Sequence, residues 1–130
     1  AMDAAILLAR DYLKTRQQFG TPLAGFQALQ HRMADMLVEA EMSRSIVFQG
    51  LASLTDSEPE RQKAIAAMKI VVSSAAMFVG RNAVQLHGGI GMTEEHPVGH
   101  YYKRLFVIAG LFGGEAFHLS RLASIGTGFW

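Results

Sequence analysis

Apolar residues recur at helical spacing along almost the whole chain. From Ala4 to Phe19, the residues Ala5, Leu8, Ala9, Tyr12 and Leu13 fall at i, i+3, i+4, i+7 and i+8, one face of an amphipathic helix. Gly20 and Pro22 predict its end. A second helix is expected from about Leu23 to Leu54. Its inward stripe would be Leu29, Met33, Met36, Leu37, Ala40, Ser43, Val47, Gly50 and Leu51, with the small members allowing close approach. Asp56-Ser57-Glu58-Pro59-Glu60 reads as the start of a third helix. Ser57 and Glu60 have capping-box spacing, and Pro59 falls in the first turn, where a missing N–H costs little. This helix should run to about Leu86. Pro97 opens a fourth, through about Ile108; Gly110, Gly113 and Gly114 then break the chain, and a short fifth helix should cover about Glu115 to Ser124. No strand-like alternation is present. The expected fold class is all-α: one up-down antiparallel helical bundle over residues 2–130, with the first helix antiparallel to the second.

The third helix is apolar nearly all round from Ala64 to Gly80. Lys69 inside that run and Ser73-Ser74 at its middle argue against a membrane span and for a central helix with partners on several sides. Hydrophobic residues make up 50% of the chain and charged residues 18%. So much apolar surface in one small domain predicts pairing with other copies, as a dimer or tetramer. The formal net charge of +1 offers nothing that would favour nucleic acid or an anionic membrane. There is no cysteine, which excludes disulfides, thiolate metal sites and cysteine nucleophiles. The first residues carry no signal-peptide pattern, and a cytoplasmic location is expected.

Two stretches carry candidate chemistry. The first is Gln85-Leu86-His87-Gly88-Gly89-Ile90-Gly91-Met92-Thr93. Its glycines suit either a helix C-cap or a close backbone approach to a ligand, and the Gln85 amide donates and accepts. It is not a dinucleotide fingerprint, because it follows a helix rather than a strand. The second runs from Thr15 to Leu23, with Phe26-Gln27 just beyond. Arg16 there either complements the negative end of the first helix or holds phosphate oxygens in bidentate fashion. His96 and His100 lie one helical turn apart but lack a third ligand, so no metal site is expected. His31, His87 and His118 read as packed or exposed helix residues, and Met33, Met36, Met68 and Met77 as core packing.

Taken together, Arg16-x-x-Phe19-Gly20-x-Pro22-Leu23, then Phe26-Gln27, then Gln85 to Thr93 ahead of Pro97-Val98, resembles the C-terminal helical domain of flavin-dependent acyl-CoA dehydrogenases. The resemblance runs from the first helix to at least Arg104. It implies that FAD lies between subunits and that this domain forms much of a tetramer core. Arg16 then looks like the arginine that meets the FAD pyrophosphate of a neighbouring subunit, with Phe19 as its aromatic companion. Gln27 matches a glutamine holding the same nucleotide, and Gln85, Gly88 and Gly89 match the segment near the adenosine end. The flavin would carry the redox chemistry while the protein binds and orients.

The implied reaction is α,β-dehydrogenation of an acyl-CoA thioester, with a carboxylate removing the α-proton. In many family members that carboxylate is a glutamate directly before a glycine, after the fourth helix. Here the region reads Leu111-Phe112-Gly113-Gly114-Glu115-Ala116, which puts Gly113 in the glutamate's place and leaves Glu115 as the nearest carboxylate. Lys103-Arg104 also departs from the family's usual Arg-Asp. The family's N-terminal helical and middle β-domains have no counterpart here, so the chain is expected to be the C-terminal part of a longer enzyme, inactive and free of cofactor by itself. The alternative is an assembly module or subunit without its own base, paired with an unlike subunit.

Overall fold

The computed structural model describes residues 1–126. The main elements are α1 (Met2–Thr15), α2 (Gln27–Ala52), α3 (Glu58–His87), α4 (Val98–Gly110) and α5 (Glu115–Gly126). Short 3₁₀ turns at Leu23–Gly25, Ser53–Thr55 and Gly88–Met92 join them. The fold is therefore the expected all-α up-down bundle.

Long-range contacts fix the directions. Asp3, at the start of α1, takes the guanidinium of Arg44 from far along α2 at 2.9 Å, so these helices are antiparallel. Arg32 near the start of α2 donates to Asn82 near the end of α3 at 2.6 Å, and at the other end Gly50 meets Met68. Tyr102 and Leu105 of α4 lie over Gly80, and α4 ends beside Lys69. Beyond the break, α5 continues in the same direction until Leu122 reaches the surface beside Ala64 and Ala67. In consequence α3 touches α1, α2, α4 and α5. By length and composition both α3 and the α4–α5 stretch could cross a bilayer, but four helices already occupy the perimeter of α3. The main core packs Ile6, Ala9 and Leu13 with Met36, Val79, Leu86 and Val98.

Four expectations need correction. First, α1 stops at Thr15 rather than Phe19. Arg16 is extended, and Gln17–Gln18 pairs antiparallel with Thr21–Pro22 as β1 and β2. Phe19 and Gly20 both take positive φ, 54° and 77°, the requirement of a type I′ hairpin turn. Strands of two residues are too short to show alternation, so this ladder left no mark in the hydropathy pattern. Second, the inward stripe of α2 is narrower than the apolar pattern. Met36, Ala40, Ser43 and Gly50 are buried, whereas Leu37 and Leu51 are 51% and 56% exposed and Val47 is 36% exposed. Third, Ser57 does precede α3 and Pro59 lies in its first turn, but no side-chain capping bond forms. Glu60 pairs with Lys63 instead, at 3.0 Å. Fourth, α5 runs on to Gly126.

Lys69 explains how a cation is tolerated inside an apolar helix. Its ammonium donates to the carbonyls of Ile108 and Ala109 at 3.1 and 3.0 Å and to Ser73 Oγ at 3.1 Å. Those carbonyls belong to the last turn of α4, where the helix leaves acceptors unpaired and a cation is favoured. Ser73 adds a bond to Ala109 O at 3.2 Å. Burial holds the Lys69 pKa below the ordinary lysine value, so these acceptors keep the ion in place against a desolvation cost. Lys69→Met keeps the aliphatic stem and removes the donor. It should lower stability by about 1–3 kcal/mol in urea unfolding; a loss below about 0.5 kcal/mol would show that α4 does not depend on this cap.

Candidate functional site

The ends of α1 and α3 come together at one end of the bundle. Between them lies an open cavity of about 630 Å³, walled by Tyr12 and Arg16 of α1, Gln18 of the hairpin, and Gln85 to Ile90 at the end of α3, with Leu23 and Leu29 from the α2 side. Four residues singled out from the sequence meet here: Arg16, Gln85, Gly88 and Gly89. Phe19 and Gln27 do not line it. Phe19 sits at the hairpin tip, 91% exposed and edge-on to Phe26 at 6.2 Å. Gln27 is the exposed first residue of α2, at the same end of the bundle.

The side chains of Arg16 and Gln85 make no hydrogen bond or ion pair among the described residues. Arg16 is tied by its backbone alone: its N–H donates to Tyr12 O at 2.8 Å and its carbonyl accepts from Leu23 N–H at 2.8 Å. A rigid backbone thus presents an unpaired guanidinium to the cavity.

The glycines of the turn differ in what they need. Gly88 has φ 64° and ψ −142°, a conformation open in practice to glycine alone. Gly91 is buried, and a Cβ there would stand 2.8 Å from the Val84 carbonyl oxygen, so its smallness serves packing. Gly89 has neither reason. Its φ is not positive and nothing lies within 4 Å of where its Cβ would be. Its bare backbone faces open space beside Arg16 and Gln85.

His87 closes the inner wall. It is 2% exposed, holds the Ala83 carbonyl through Nδ1 at 2.7 Å, and stacks on Tyr12 with ring centroids 4.7 Å apart. The His96 ring touches both, tilted against His87 at 4.4 Å and edge-on to Tyr12 at 6.1 Å. Desolvation first, then the nearby His96, push the His87 pKa below the ordinary histidine value, while the Ala83 and Leu8 carbonyls pull it back. His96 and His100 do not act as a pair, because His96 Nδ1 accepts the Val98 N–H at 3.3 Å and His100 is exposed. Among the described residues no cluster of three metal-ligating side chains forms.

Glu115 lies elsewhere. It is exposed, in the first turn of α5, just past the break that follows the Lys69-capped end of α4. From Lys69 to Gln85 is about 24 Å along α3 at ~1.5 Å per residue. In the break, Phe112 takes φ 59° and Gly113 φ 97°, and buried His118 holds the Phe112 carbonyl through Nε2 at 3.0 Å.

The family model for the acyl-CoA dehydrogenase C-terminal domain matches residues 1–125. This chain belongs to that family. It is 39% identical over 111 residues to acyl-CoA dehydrogenase IpdE2 of Mycolicibacterium smegmatis, an alignment covering 85% of this chain and 34% of that protein. Among solved structures, it is similar to butyryl-CoA dehydrogenase from Megasphaera elsdenii, with a TM-score of 0.85 and 32% identity over 95% of this chain and 32% of that one. It also resembles a variant of the Tcur3481–Tcur3483 steroid ACAD, with a TM-score of 0.89 and 33% identity over 95% of this chain and 34% of that one. The chain thus spans about a third of the length of the curated relatives it matches first.

Three polar residues of the cavity had no cofactor role assigned from the sequence: Tyr12, Gln18 and His87. Tyr12 stood in the apolar stripe of α1, and its place one turn before Arg16 was the available signal. The glycines give a test that needs no ligand. Gly91→Ala should cost about 1–3 kcal/mol of stability, because backbone must move to admit the methyl. Gly89→Ala should stay within about 0.5 kcal/mol of the parent. Equal losses in chemical denaturation would show that the turn is packed differently.

Proposed function

We propose that this chain is the helical C-terminal domain of an FAD-dependent acyl-CoA dehydrogenase, where it completes the cofactor site and supports oligomer assembly for α,β-dehydrogenation of an acyl-CoA thioester. The observation that carries this is the convergence of Arg16, Gln85, Gly88 and Gly89 on one cavity in a chain of this flavin-dependent family. The donor set suits FAD. An unpaired guanidinium matches a pyrophosphate, a free amide matches a base or ribose edge, and Gly89 admits a ligand against the backbone. Phe19 and Gln27, exposed at the same end of the bundle, are assigned to the outer part of the same cofactor. Bound FAD supplies the hydride acceptor; the residues of this chain bind and orient.

Exposed apolar side chains support the assembly role. Leu37, Val38, Met42, Phe48 and Leu51 lie on α2, and Phe106, Val107, Phe112 and Phe117 on the α4–α5 side. These faces suit a homodimer or homotetramer, or a mixed assembly with an unlike subunit. In the second reading the chain is a non-catalytic assembly module or belongs to a subunit without its own base. The exposed place of Glu115 at a helix start, where a carboxylate complements the dipole in any case, favours that reading.

Two substitutions in the intact flavoprotein test these assignments. Arg16→Ala should weaken FAD retention by roughly tenfold to a hundredfold, the worth of a charge-assisted phosphate contact. Flavin absorbance per subunit after exhaustive dialysis measures it, and unchanged content would remove Arg16 from the site. Glu115→Gln keeps the size and removes the base. If Glu115 takes the α-proton, flavin reduction by acyl-CoA should fall at least about a hundredfold with FAD content unchanged. A loss under about threefold places the base outside this chain and leaves Glu115 its dipole role.

A further inference from the structure

The inner wall of the cavity is built from a stack that the dehydrogenase motif does not account for. Tyr12 on α1, His87 at the end of α3 and His96 ahead of α4 pack ring on ring, with centroids 4.7 Å apart for Tyr12–His87, 4.4 Å for His87–His96 and 6.1 Å for Tyr12–His96. Two of the rings stand next to part of the site. Tyr12 is one helical turn before Arg16, whose N–H bonds the Tyr12 carbonyl. His87 immediately precedes Gly88-Gly89. The spacing between guanidinium and glycine turn is therefore set by how closely Tyr12 rests on His87.

The stack has a definite protonation requirement. His87 Nδ1 faces a carbonyl that can only accept, so Nδ1 carries the proton and Nε2 the lone pair. Nε2 is buried and makes no hydrogen bond, although the Leu8 carbonyl of α1 lies near enough to favour a proton on the ring. His96 Nδ1 accepts the Val98 N–H at 3.3 Å. The titratable groups against His87 are Tyr12 from α1 and His96 from the segment before α4; Arg16 of α1 lines the same open cavity, and Tyr101 of α4 packs on the same core. From α2 only Leu29 reaches the cavity, which brings no charge. No carboxylate is among them.

We propose that His87 is the positioning residue of the nucleotide site: as a neutral ring packed against both Tyr12 and His96 it holds the Gly88-Gly89 turn at its distance from Arg16, and gaining a second proton breaks that packing and releases the nucleotide. This rests on reading the cavity as the FAD site. A second proton would place a charge in a ring with 2% exposure, beside His96. The Leu8 carbonyl and the cofactor's phosphates favour that charge, but burial outweighs the backbone carbonyls, and the ring must turn to water to keep the proton. The sign follows from the lowered pKa. The clamp is complete above the ordinary histidine value of 6.5 and is lost as pH falls from there through the lower value of the folded ring.

The test uses the intact flavoprotein and reads flavin release by fluorescence between about pH 7.5 and pH 5. In the parent, release should accelerate at least about tenfold across that range, the effect of one pKa unit. His87→Phe keeps a ring against Tyr12 and cannot gain a proton, so its release should be flat with pH. His96→Gln removes the competing ring charge and should move the acid limb to higher pH. The same acid limb in His87→Phe, slower release at acid pH in the parent, or a limb that does not move in His96→Gln would each overturn the proposal. If His87→Phe holds no flavin at any pH, the His96→Gln shift decides alone. Arg16→Ala at about pH 7.5 separates the two levels: no effect there sinks the nucleotide reading itself, whereas an Arg16 effect without a His87-dependent limb sinks only the role of His87.

Discussion

The whole bundle depends on α3 being thin enough for four other helices to reach it. Its buried positions are mostly small: Ala66, Ser73, Ala75, Ala76, Gly80 and Ala83. At Gly80 an added Cβ would stand 2.9 Å from the Tyr102 ring of α4, and on α2 one at Gly50 would stand 2.7 Å from Met68 Sδ of α3. Short side chains bring backbones together, and interiors packed at crystal-like density transmit that spacing to everything attached. The distance from α1 to the end of α3, and so the width of the cavity, is a product of this packing. The same thinness exposes α4's last carbonyls to α3, which is why a lysine inside an apolar helix is an asset at Lys69.

Helix existence was legible because the chain repeats its apolar residues with a helical period for most of its length. Helix ends and faces were less so. The overrun of α1 past Thr15 comes from a turn whose geometry is set by two positive φ values at Phe19 and Gly20, and dihedral angles leave no hydropathy signal. On α2, the period places Leu37 and Leu51 beside the true core stripe, but it does not say how wide an arc the neighbours cover. Ser57 and Glu60 had the right spacing for a capping box; Lys63, one turn on, competes for the same carboxylate.

At the site, the motif residues were legible as chemistry and as a family resemblance, and four of the six proposed cofactor contacts converge. What escaped was the support behind them. Tyr12 looked like core because it sits half-buried in the apolar stripe of α1, and His87 looked like an ordinary packed histidine because each of its contacts is ordinary. Only the three-dimensional stack joins Tyr12, His87 and His96, residues from separate segments. Glu115 remains what the sequence made it, an acidic residue at a helix start, and its exposure adds no partner to that description.

The cavity at the end of α1 and α3 is open, and among the described residues the side chains of Arg16, Gln18 and Gln85 find no partner in their own chain. A molecule as large as a dinucleotide seated on such a wall keeps much of its own surface in water until a second surface covers it. When one ligand bridges two bodies, its affinity and theirs for each other are a single thermodynamic quantity seen from two sides. Whatever strengthens the grip of Arg16 then also strengthens the contact between the bodies that share the ligand, and loss of the ligand is felt as a loosening of the assembly.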